Sequence, residues 1–329
     1  MKMHPLTEHH DCNGVDRHFM LIYKARQRGS AVKTSFIAFL AVFGLCCGPV
    51  QSDAQTVYVS TFNLESVLSI NSAGTVTTFA TASSGLNYPV GLAFDNSGNL
   101  YAANSGGGNG NSTIEKFTPN GIGTVFASSG LNEPWGIAFD SGGNLYVANV
   151  DTIEEFNPNG SGTVFATAAS GLSEPEGLAF DSSGNLYVGN YDNTILKFNT
   201  NGAVSVFATA GVDNPGGLAF YGGNLYVANY GNNTIEKFNA LGQGSIFSST
   251  NLLRFPDGLA FDSNGNLYVA NEGNGEVLEF GPNGVGTVVA SGLGNAVYLA
   301  IEEIPEPSSL LLATLGAVSL GAFLRRKRG

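Results

Sequence analysis

The stretch Pro256-Asp257-Gly258-Leu259-Ala260-Phe261-Asp262-Ser263-Asn264-Gly265-Asn266-Leu267-Tyr268-Val269-Ala270-Asn271 decides how the rest of the chain is read. Leu259-Ala260-Phe261 and Leu267-Tyr268-Val269-Ala270 read as two short strands. The Asp-Ser-Asn-Gly-Asn segment between them is a tight turn, because Gly accepts a positive φ and Asp or Asn bonds its own backbone. Copies of the stretch recur with prolines at Pro89, Pro134, Pro175, Pro215 and Pro256, separated by 45, 41, 40 and 41 residues. Their tyrosines are Tyr101, Tyr146, Tyr187, Tyr226 and Tyr268, and Tyr58 precedes them all. A worn sixth start, Ala296-Val297-Tyr298-Leu299-Ala300-Ile301-Glu302, lies 40 residues after the fifth. A fixed period of this kind fixes the architecture before any single residue does.

Each unit carries two further strands. In the fifth copy these are Glu276 to Phe280 and Thr287 to Ala290, separated by a Pro282-Asn283-Gly284 turn. Four short strands in about 40 residues are the signature of a propeller blade rather than a helical solenoid. The ends of the array complement each other. The first unit, Thr56 to Thr81, lacks a first strand, and the last start, Val297 to Glu302, is a first strand with nothing after it. The expected fold is therefore all-β: a six-bladed β-propeller of four-stranded blades. The C-terminal strand joins the N-terminal blade, so no raw sheet edges remain.

Residues 1–54 read as a polar leader plus a secretory signal peptide. Lys33 precedes an apolar run from Phe36 to Cys47, and Ser52-Asp53-Ala54 is a small-x-small exit. About 12 apolar residues are too few to span a bilayer, and Cys46 and Cys47 lack the small residues expected before a lipidated cysteine. All three cysteines and all four histidines lie in this leader. The domain that follows, residues 55–303, then has no disulfide and no thiolate or imidazole metal site. From Gln55 to Leu324 only Lys116, Lys197, Lys237 and Arg254 are basic, in a chain of net charge −12. Such a surface repels nucleic acid.

The array resembles the NHL-repeat family of six-bladed propellers, whose unit reads Pro-x-Gly-hydrophobic-Ala-x-Asp followed by Gly-Asn-hydrophobic-Tyr-Val-Ala. That pattern stands at Pro134 to Asp140 with Gly143 to Ala148, and at Pro175 to Asp181 with Gly184 to Gly189. Departures are Tyr221 in place of Asp, a turn one residue shorter beside it, and Asn closing the second strand. Residues 304–329 carry a second resemblance. Pro305-Glu306-Pro307 precedes an apolar run from Ser309 to Leu324 and then Arg325-Arg326-Lys327-Arg328. This is similar to a PEP-CTERM sorting tail of Gram-negative bacteria. The resemblance makes Pro305, Glu306 and Pro307 recognition residues for an exosortase, which with signal peptidase would process the chain. About 16 helical residues reach only ~24 Å, enough for a transmembrane helix in a thinned bilayer. The basic end stays cytoplasmic by the positive-inside rule. The expected location is export with transient inner-membrane anchoring, then the cell surface, outer envelope or extracellular matrix.

A propeller fold hosts unrelated activities, so function must come from a site. Strand direction alternates. Loops between blades therefore share one face with loops between strands two and three, and the two remaining turn sets share the other. The second face repeats almost unchanged; the first differs from blade to blade, as ligand faces on rigid scaffolds do. Its candidate binding residues are Tyr88, Glu133, Trp135, Glu174, Glu176, Tyr191, Tyr230, Arg254, Phe255, Asp257 and Glu272. Trp135 could stack on a sugar or peptide, or cover a blade junction. Glu176 and Asp257, each between the Pro and Gly of its blade, could hold a Ca2+ or other divalent cation, or be plain solvated acids. No other cofactor is expected. The asparagines Asn104, Asn149, Asn190, Asn229 and Asn271 close the second strand in five blades, which points to a structural turn. Two function classes remain. One is an exported binding protein for a polysaccharide, protein or matrix ligand. The other is a metal-dependent enzyme of the gluconolactonase or streptogramin lyase type, which resembles the chain in fold. Those lyases are associated with a histidine that residues 55–303 do not offer.

Overall fold

The computed structural model describes residues 55–302. The expected signal helix, transmembrane helix and Pro305-Glu306-Pro307 motif lie outside the described residues. Six four-stranded antiparallel sheets form the blades of a propeller. Blade 1 orders Ala296–Glu302, Thr56–Thr61, Ser66–Asn71 and Val76–Thr81 from the channel outward. The ring is thus closed by the chain's last described strand, with Thr56 opposite Glu302 and Val59 opposite Leu299. Blades 2 to 6 are continuous in sequence and begin at Pro89, Ile137, Pro175, Pro215 and Pro256.

Blade-to-blade packing explains the repeat. In blades 1 to 5 the second-strand tyrosine meets one phenylalanine of its own outer strand and one from the next blade's inner strand. Tyr146 lies 5.1 Å from Phe165 and 5.0 Å from Phe180, and Tyr187 lies 4.9 Å from Phe207 and 4.8 Å from Phe220, all edge-on. Such pairs contribute roughly 0.5–1.5 kcal/mol each beyond area burial. The junction from blade 6 to blade 1 departs: Tyr268 packs with Val289 and Ile301 instead.

In blades 2, 4, 5 and 6 the inner strand carries a bulge between the Pro and the Leu of the motif, as at Pro175/Leu178 and Pro256/Leu259. The extra residues are the variable position and the motif glycine. There the neighbouring backbone comes too close for a side chain: a Cβ on Gly217 would lie 2.6 Å from the Asp257 carbonyl oxygen. Around the channel the glycine slots are Gly91, Gly136, Gly177, Gly217 and Gly258, but blade 1 has Tyr298. Tyr298 is 8 % exposed, and its hydroxyl reaches 3.4 Å from the Glu176 carbonyl oxygen of blade 4, on the opposite side of the ring. The central channel is therefore blocked by a side chain. Ser60, where other blades have Ala or Gly, accepts from the Tyr298 N–H at 3.0 Å and donates to the Val90 carbonyl at 2.6 Å. It ties blade 1 to blade 2 at the one slot that has lost its glycine.

The strand-closing asparagines are structural. Asn190 is fully buried, accepts from the Ser173 N–H and donates to the Gly171 carbonyl and the Thr194 hydroxyl. Asn104, Asn149, Asn229 and Asn271 hold their inter-blade loops in the same way. On the opposite, repetitive face Asp95, Asp140, Asp181 and Asp262 cap their turns through the side chain. Blade 5, where Tyr221 replaces Asp, turns instead on Gly222 and Gly223 at positive φ, and Tyr221 stacks on Phe261 at 4.8 Å.

Candidate functional site

The variable face has its own backbone signature. The residue before the motif proline is Tyr88, Glu133, Glu174, Asn214 or Phe255, with φ between 45° and 51° in every case. A left-handed non-glycine residue is unusual, and proline further restricts the residue before it. Each of these positions is held by the asparagine clamp below it, which fixes where the loop side chains stand.

Eight of the eleven candidate binding residues line one pocket of about 480 Å3 at the channel mouth. They are Glu133, Trp135, Glu174, Glu176, Tyr191, Tyr230, Asp257 and Glu272, drawn from blades 3 to 6, and Val150, Pro175 and Asn214 complete the lining. Three of the eleven stand outside it. Tyr88 packs against Phe62 with ring centres 5.0 Å apart. Arg254 is exposed and donates its backbone N–H to Asn271. Phe255 lies 4.9 Å from Tyr230 and so buttresses a lining residue rather than lining the pocket itself. Clefts of about 230, 340 and 450 Å3 also open on the repetitive face, between turn residues and the repeated blade-junction aromatics such as Tyr226, Phe247 and Phe261 or Tyr146, Phe165 and Phe180.

The pocket is acidic, and its carboxylates hold one another in check. Burial, then the charges of Glu174 and Glu272, push the Glu176 carboxyl up to about 7. Asp257 is 3 % exposed and is raised well above the carboxylate range, by burial first and then by Glu176 and Glu272, against a partial offset from the Gly217 N–H. It leans over Gly216, the blade 5 residue at the same motif position, where any side chain would collide with its Oδ1. That Oδ1 has no hydrogen-bond partner. Tyr230 is pushed up to about 12 by burial and the neighbouring Glu272, while Glu272 accepts from the Asn295 side-chain amide at 3.2 Å. The other half of the mouth is apolar: Val90, Val297 and Tyr298 form a cluster with Phe62 and Trp135 against it. Trp135 thus covers a blade junction and also lines the pocket.

Among the described residues no group of three or more His, Cys, Asp or Glu is arranged to hold a metal ion. No helix among them is long and apolar enough to cross a membrane. Sequence reading missed Tyr298 as a site-forming residue. The signal was present, since aligning the worn sixth copy places Tyr298 on the motif glycine.

Comparison with known proteins agrees with this architecture. A family model of the NHL repeat matches residues 253–280, and one of the PEP-CTERM protein-sorting motif matches residues 303–328. No curated protein matches the sequence. Among solved structures, a chain of the nidogen/laminin complex is similar with a TM-score of 0.66 at 19% identity, covering 75% of this chain and 98% of that one. Virginiamycin B lyase from Staphylococcus aureus is similar with a TM-score of 0.57 at 16% identity, over 74% of this chain and 84% of that one. Its catalytically inactive variant with quinupristin gives 0.56 at 16%, over 73% and 85%. These likenesses are of fold. The chain is a six-bladed β-propeller that carries an NHL repeat and a PEP-CTERM sorting motif. That motif implies export, membrane anchoring before processing, and processing by an exosortase.

Proposed function

We propose that this is a binding protein, held after processing at the cell surface or in the extracellular matrix, that takes its ligand into the channel-mouth pocket. The observation that carries the reading is the pocket of about 480 Å3 assembled from four blades where the repeat stops repeating. Its size is in the usual range for ligand sites, and it combines aromatic walls with a few convergent polar groups. A carbohydrate or a protein segment fits such a lining. A screen of immobilised glycans and matrix proteins against the full-length chain, beside its Trp135→Ala form, tests this. Binding that falls at least tenfold with the substitution supports it; ligands bound equally by both forms, with none lost, sink it.

A second reading has one observation in its favour. Glu176, pushed up to about 7, is poised to exchange a proton near neutral pH. This suits a lactonase- or lyase-like enzyme in which Glu176 serves as general acid or base. Lactone hydrolysis abolished by Glu176→Gln would establish that reading. Turnover unchanged by the substitution would remove it.

A further inference from the structure

The pocket's chemistry is lopsided. Five carboxyl groups, from Glu133, Glu174, Glu176, Asp257 and Glu272, line it, and no basic residue does. Four buried side-chain polar atoms among the described residues lack a hydrogen-bond partner, and two of them, Asp257 Oδ1 and Asn214 Oδ1, belong to this pocket. An unpartnered buried acceptor is costly, more so when charged, so these two atoms are unmet demands for hydrogen-bond donors. Asp257 Oδ1 lies against Gly216, whose missing side chain leaves the space beside it, and Asp257 itself lines the pocket. Tyr191, Tyr230 and Trp135 add aromatic faces around the acids, and such faces attract cations as well as the C–H faces of a sugar ring.

A bare metal ion matches this lining poorly: no three acids converge on one point, and the volume far exceeds an ion's. A donor-rich organic cation matches it well. Tyr298 blocks the channel, so the pocket is blind and takes an end group or a single unit rather than a threaded chain. A ring-sized body also uses the separated positions of Asp257 and Asn214 and the aromatic walls, which one flexible alkyl chain leaves unfilled. Resting on the binding reading above, we propose that the pocket recognises an amino sugar with a free, protonated amine. The ammonium sits between Asp257 and Glu176, ring hydroxyls donate to Asn214, and the ring lies against the aromatic wall.

Calorimetric titration of the full-length chain with a glucosamine tetramer, its fully N-acetylated counterpart and tetralysine tests this. The expected result is binding of the glucosamine tetramer at least tenfold tighter than the acetylated one, which has the same rings but no positive charge. Asp257→Asn and Glu176→Gln should each weaken it at least tenfold, with a melting temperature no lower than that of the parent. Equal affinity for the two sugars, or tetralysine bound as tightly as the glucosamine tetramer, overturns the proposal. So does the absence of glucosamine binding, and where the protein still binds another ligand through Trp135 the broader binding reading survives.

Discussion

One position of the repeat, the residue between the motif proline and glycine, has taken two courses around the same ring. In blades 1, 2 and 3 it is Val297, Val90 and Trp135, and with Tyr298 and Phe62 these close one half of the channel mouth with apolar surface. In blades 4, 5 and 6 it is Glu176, Gly216 and Asp257, and these open the other half as an acidic hollow. The position is the same step of the repeat in both halves, and the side chains it carries make most of the difference. The apolar half is what a core wants; the acidic half works against folding. A buried carboxyl beside a half-buried one, with Gly216 bare to make room for the first, is an arrangement that stability by itself does not select.

The contrast can be broken at its root by ending the chain before Ala296. Both halves rely on the closing strand, which carries five consecutive buried residues, Ala296 to Ala300. Its loss leaves blade 1 with an open edge facing the channel, and the expected outcome is failure to fold cooperatively, read as loss of a single thermal transition by circular dichroism. The next largest effect is expected from Tyr298→Gly, which restores the repeat and unplugs the ring. Removing a buried aromatic side chain costs about 3–5 kcal/mol. An unchanged urea midpoint would show that the apolar half does not depend on the plug.

The acidic half predicts the opposite sign. Because the Glu176 carboxyl is raised from 4.5 to about 7 on folding, the folded state binds its proton more tightly. Stability from this group is present below pH 4.5 and lost as pH rises through about 7. Glu176→Gln should therefore stabilise the protein at pH 8, by roughly 1–3 kcal/mol after allowance for solvent screening. At pH 4 it should leave stability unchanged. A melting temperature lowered by the substitution at pH 8 would mean that the hollow is not strained. Smallest of all, Ser60→Ala removes the 2.6 Å bond to the Val90 carbonyl and should cost about 1 kcal/mol. Equilibrium denaturation resolves it, and no loss would mean that the first junction holds without its hydroxyl.

The ring, its six blades and its closure were legible in the sequence because they follow from a local period and from two fragments that complete each other. The asparagine clamps were legible for the same reason, being repeated. The side of the molecule carrying the pocket could also be read, since strand direction alternates whatever the side chains do. Its membership could not. Trp135 and Glu272 are 137 positions apart in the chain, and only the curvature of the ring decides that they share a hollow while Tyr88 and Arg254 stand outside it. The reach of Tyr298 across the channel, and the unpartnered Oδ1 of Asp257, depend on what lies opposite, and a repeat records only what lies beside.

Glu302 occupies the blade 1 position that the turn aspartates hold elsewhere, and it pairs with Thr56. Both ends of the described chain therefore emerge together on the monotonous side of the disc. The sorting motif starts at the very next residue, 303. The face opposite the acidic hollow is thus the one from which the matched segment continues.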